Sequence, residues 1–178
     1  MVDLVVLQSL SYTAGAISVV LGVVYYVFNI REQTLNRRVT LTNSLLESFS
    51  SREGYRLMGD LLRMEWSDFD DFVTKYDSTV NPDNSSLRAS VFTRCEMLGR
   101  QYRSGLIDLD TLFSVCSDSI PQLWVKFKPI IEEYRKRKVY SKIEFENFEY
   151  LAGELTKLME RRDPDFVYAP AYLRSPVK

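Results

Sequence analysis

The sequence predicts an all-α protein: one N-terminal transmembrane helix followed by a small bundle of about five helices. Three observations predict it. Residues 4–30 carry no Asp, Glu, Lys or Arg. From Leu35 onward, apolar residues recur at spacings of three and four, the period of a helix face. No stretch alternates apolar and polar residues as a half-buried strand would.

The uncharged stretch comes first. As a helix it would be about 40 Å long at roughly 1.5 Å per residue, more than a hydrocarbon core of about 30 Å. Its first turns are wetter, with Gln8, Ser9, Ser11 and Thr13, which puts the embedded span at about Leu7 to Phe28 within a segment 1–30. Tyr25 and Tyr26 fall near its end, where aromatic rings favour the membrane interface. A cleaved signal peptide has a basic start, a shorter apolar run and a small-residue cleavage site. Here the start is Met-Val-Asp, and the run ends Val27-Phe28-Asn29-Ile30-Arg31. A core helix is seldom apolar on every face for this length. Arg31, Arg37 and Arg38 follow the span and only Asp3 precedes it. The positive-inside rule then predicts a single-pass cell-membrane protein with its N-terminus outside and its later domain cytoplasmic. Ser11, Ala14, Gly15, Ser18 and Gly22 form a small-residue stripe that lets another helix approach closely in lipid. A homo-oligomer or a membrane-protein partner would use it. Small residues are also ordinary in membrane helices, and both readings stand.

A helical stalk is predicted over 31–50. Leu35, Val39, Thr42, Leu46 and Phe49 are spaced 4, 3, 4, 3. Two heptads fall short of a coiled coil, so the expectation is packing against the chain's own later helices. A cytoplasmic helical domain follows over 51–162. Ser50-Ser51-Arg52-Glu53 offers an N-cap for a segment carrying Tyr55, Leu57, Met58, Leu61, Leu62 and Met64. Ser67-Asp68-Phe69-Asp70-Asp71-Phe72 reads as the next helix start, with acids in the first turn. Asp77 to Ser86 reads as a loop. Leu87, Val91, Cys95, Leu98 and Tyr102 mark one helix face, closed by Gly105. Asp108 caps a short helix with Leu109, Leu112, Phe113 and Cys116. Pro121 suits the first turn of the next, whose apolar face is Leu123, Trp124, Phe127, Ile130, Ile131 and Tyr134, with Pro129 predicted to kink it. The last helix is expected from about Ser141 to Arg161. Pro164, Pro170 and Pro176 predict an extended tail over 163–178.

Composition narrows the function. The 178 residues are 46% hydrophobic and 26% charged, enough for a packed core. All 23 Lys and Arg and all but one of the 24 acids lie after residue 30, leaving that region formally neutral and without a nucleic-acid footprint. Histidine is absent, which removes Ser-His-Asp and Cys-His pairs and HExxH sites. Cys95 and Cys116 are too far apart for a zinc pattern and read as buried free thiols. Glu65, Asp68, Asp70 and Asp71 lack the glycine and distal glutamate of an EF-hand and read as helix-start acids. Glu144, Glu146 and Glu149 read as a solvated face. Arg135-Lys136-Arg137-Lys138 could touch phosphate or anionic lipid, but it also suits a helix C-terminus. The seven glycines form no phosphate-binding motif. No catalytic residue, metal ligand or cofactor is assigned, and membrane lipid is the one partner the composition requires.

An N-terminal span leads into a charged stalk from Arg31 to Phe49. Pro121-Gln-Leu-Trp124, Pro129 and Tyr134-Arg135 then precede Phe145-Glu-Asn-Phe148-Glu-Tyr-Leu151. In this order of features the chain resembles a family of small membrane-anchored helical proteins of bacteria and archaea, a domain of unknown function. The resemblance implies anchor-plus-helices architecture and no catalytic residues. The expected role is a non-enzymatic interaction or accessory protein at the cytoplasmic face. The alternatives are a carboxylate-based metal- or nucleotide-responsive domain or enzyme, and an accessory subunit of a larger membrane complex.

Overall fold

The structure, a computed structural model, describes residues 4–166, with the side chains of Arg38 and Leu41 outside the description. Among these residues every regular element is a helix: α1 (Leu4–Ser50), α2 (Arg52–Arg63), α3 (Phe69–Tyr76), α4 (Pro82–Arg103), α5 (Leu109–Cys116), α6 (Ser119–Lys136) and α7 (Glu146–Arg162). Six helices follow α1 among these residues, in line with the expected bundle of about five. The chain divides into two compact units, Met1–Leu41 and Thr42–Lys178.

In the first unit, residues 4–28 are exposed without exception. Their hydroxyls turn back on the helix: Ser11 donates to the Leu7 carbonyl at 2.9 Å, Thr13 to Ser9 at 2.8 Å and Ser18 to Ala14 at 2.8 Å. Leu35 and Val39 are also exposed.

The second unit has one apolar core. Leu61 of α2, Phe72 of α3, Cys95 and Leu98 of α4, Leu112 of α5, Leu123 and Phe127 of α6, and Phe148 and Leu155 of α7 are all fully buried. Each such side chain contributes about 1.5–3 kcal/mol through burial. Thr42, Leu46 and Phe49 of the expected seam are buried here too, and the Thr42 hydroxyl meets the Gln101 amide oxygen at 3.0 Å. Edge-on aromatic contacts thread the core: Trp66–Phe72, Phe92–Phe127 and Trp124–Phe148, each 5.1 Å between ring centres.

Capping explains most helix boundaries. Ser51 accepts from Gly54 N–H, Asp68 from Asp71 N–H and Asp108 from Thr111 N–H. Gly105, at φ +69°, ends α4 where glycine carries no steric penalty. Two boundaries correct the sequence reading. Asn81 caps α4 and Pro82 sits in its first turn, so the loop after Asp77 is half the expected length and residues 83–86 are helical. The last helix begins at Glu146 rather than near Ser141, because Phe145 takes a left-handed φ of 61° that a continuing helix cannot hold. Pro129 lies inside α6, which runs on through it. Of the expected tail, residues 167–178, with Tyr168, Pro170, Tyr172 and Pro176, lie outside the described residues.

Candidate functional site

The connector between α2 and α3 runs extended from Met64, at ψ 139°, and passes alongside α6. Between them lies a cleft of about 860 Å³. One wall is the connector and the start of α3, residues 64–70. The other is a stripe of α6 at near-helical repeat: Val125 and Lys126, Pro129 and Ile130, Glu133, then Arg137 just past the helix end. A ring system stands in each half. Trp66 packs on Phe72 and Phe127, and Phe69 packs edge-on against Tyr134.

Lys126 is the least expected residue of the cleft, only 7% exposed. It occupies the same face of α6 as Leu123 and Ile130, so its amine enters the domain. There it donates to the Met64 carbonyl at 2.5 Å and lies 4.8 Å from the centre of the Trp66 ring. Burial first, against the attraction of Glu65, pulls its pKa below the usual lysine range. A charge two residues from Trp124 on an otherwise apolar face was the available signal, and period reasoning passed over it.

Arg137 closes one end. Its guanidinium lies 4.2 Å over the Phe69 ring, donates to Glu133 at 2.9 Å and meets Asp70 at 3.5 Å. The hydrogen bond it gives to Glu133 chiefly raises its pKa.

The residues singled out in sequence separate in space. Asp68 caps α3, Asp70 faces Arg137, and Asp71 takes Lys75 at 2.8 Å and Ser67 N–H at 2.9 Å. Glu149 pairs with Arg135 at 3.0 Å, and Glu146 faces Arg103 at 3.6 Å. Among the described residues no three of His, Cys, Asp and Glu come together as a metal would need. The basic run is built into the α6 terminus: Arg135 donates twice to the Glu144 carbonyl, Lys136 and Arg137 pair with Glu133, and Lys138 turns the chain at φ 61°. Both thiols are buried, and burial pushes Cys95 well up and Cys116 up to about 12. A protonated, enclosed thiol is a poor nucleophile. Ser11, Ala14, Gly15, Ser18 and Gly22 are exposed on α1, as are Arg31 and Arg37.

Both cleft walls fall within residues 16–155, which match a family described as a domain of unknown function (DUF4760). The chain belongs to the DUF4760 family. The matched region of this DUF4760 protein takes in the second half of the uncharged stretch, the stalk, and α2 to α6 with most of α7. No curated protein and no solved structure matches the chain.

Two further side chains went unnoticed in sequence and organise the cleft's surroundings. Arg88, 5% exposed, donates to the Tyr76 carbonyl at 3.0 Å and the Asn84 side chain at 2.7 Å, under the Phe72 ring. Burial lowers its pKa. Glu96 of α4 accepts from the N–H groups of Asn147 and Phe148 at 3.0 and 2.8 Å, capping α7 from another helix. Glu96 has no local motif, since its partners lie on α7, and Arg88 pairs with Asn84 of its own helix but also reaches the Tyr76 carbonyl at the end of α3.

Proposed function

We propose that this DUF4760 protein is a single-pass membrane anchor carrying a non-enzymatic helical interaction module at the cytoplasmic face. One observation carries the reading. The apolar window of α1 is long enough to cross a bilayer, and among the described residues none of it is buried. A core helix of the same composition would be covered, so this surface needs another apolar medium. The back-bonded hydroxyls of Ser11, Thr13 and Ser18 support it, because a lipid-embedded helix must satisfy its polar groups internally. Arg31, Arg37 and Arg38 support the orientation. The exposed stripe of Ser11, Ala14, Gly15, Ser18 and Gly22 suits close approach by a second copy or a membrane partner. The sealed thiols and the dispersed acids support a binding role over a chemical one.

Native mass spectrometry from membranes in mild detergent tests the module. The expected species is heavier than the 20.8 kDa chain by a second copy or a partner. Bare monomer alone would overturn the interaction reading while leaving the anchor standing.

A further inference from the structure

We propose that the cleft between the α2–α3 connector and α6 docks a basic, apolar-rich peptide segment of a partner protein. This rests on the interaction-module reading and deepens it.

The floor is apolar and open: Val125 is 44% exposed, Pro129 is exposed, and the Trp66 and Phe69 rings stand half-buried beside them. The rim is acidic, with Glu65 and Asp68 on the connector, Asp70 beside them at the start of α3, and Glu133 across on α6. The two cations of the lining are turned to internal use. Lys126 is buried on the Met64 carbonyl, and Arg137 is held by Glu133 and Asp70 against Phe69. A visitor therefore meets a greasy floor among hydrogen-bond acceptors. An acidic segment would meet four carboxylates against two cations, a lining negative on balance, and would be repelled. A wholly apolar one would strip water from Glu65 and Asp68 and return nothing. A segment alternating Lys or Arg with aliphatic side chains satisfies floor and rim together. The volume suits a few side chains.

The test places the photo-reactive p-benzoylphenylalanine at position 125 of the full chain in its native membranes, with position 80, exposed on the loop between α3 and α4 and outside the cleft lining, as control. After irradiation the cross-linked peptide is sequenced. The expected product, enriched over position 80, is a segment of another protein with net positive charge and apolar residues. Its yield should fall about ten-fold in Glu65→Lys/Asp70→Lys. An acidic segment, lipid, residues 167–178 of this chain, a second copy, no product above control, or a yield indifferent to the reversal would each overturn the proposal. Fractionating the same sample separates the two readings: the chain in the supernatant defeats the anchor, whereas the cross-link pattern alone judges the cleft.

Discussion

Glu96 and Asp77 show how single carboxylates hold this fold. Phe145 occupies the N-cap position of α7 in a left-handed conformation, with no capping side chain of its own. Glu96 supplies the missing acceptor, so its loss strands two N–H groups and removes a negative charge from a helix N-terminus. Glu96→Ala should destabilise the domain by about 1–3 kcal/mol in urea melts; a change within error would show that water caps α7 equally well. Asp77 acts through pH. The Thr79 N–H first, then the Thr79 hydroxyl, holds its carboxyl below the ordinary value of 3.8, and Tyr134 adds to the effect. A depressed folded pKa stabilises the fold above the unfolded value, and that contribution disappears as pH falls below about 3.8. Urea midpoints between pH 6 and pH 2 should therefore drop below that pH, and Asp77→Asn should flatten part of the drop. Superimposable profiles would remove Asp77 from the account. The thiols give a third readout at this scale. Iodoacetamide at pH 8 should leave Cys95 and Cys116 unmodified in the folded chain and alkylate both in denaturant; prompt native alkylation would contradict their burial.

Two helices meet closely at Gly99, where α4 passes α7. A Cβ there would collide with the Asn147 carbonyl, so Gly99→Ala should force the pair apart and cost about 1–3 kcal/mol. Unchanged thermal unfolding would mean that α7 shifts freely. This contact illustrates what sequence periodicity conveys and what it omits. Caps at Ser51, Asp68 and Asp108 and the stop at Gly105 were legible, because a capping side chain and the N–H that donates to it lie three residues apart. The start of α7 was not, since its cap comes from Glu96, some fifty residues upstream. The early start of α4 was hidden differently: Asn81-Pro82 is a helix start as well as a turn signal, and the polar residues after it resemble a loop. The apolar face of α6 was legible as positions, but the cleft was not. It needs the connector from Met64 to be laid alongside α6, a long-range pairing that no local pattern encodes. Lys126 was lost for the same reason, since its acceptor is 62 residues away.

For the whole molecule, the chain divides its apolar residues between two uses. Those after Thr42 close a core around aromatic contacts, and among the described residues those of 4–28 are all exposed. The hydrophobic effect makes the second arrangement costly in water, and lipid removes the cost. Extraction of native membranes with alkaline carbonate, followed by flotation, tests this most directly. The account predicts that the intact chain stays in the pellet and floats with lipid. Recovery in the supernatant, with residues 1–30 still attached, would contradict it.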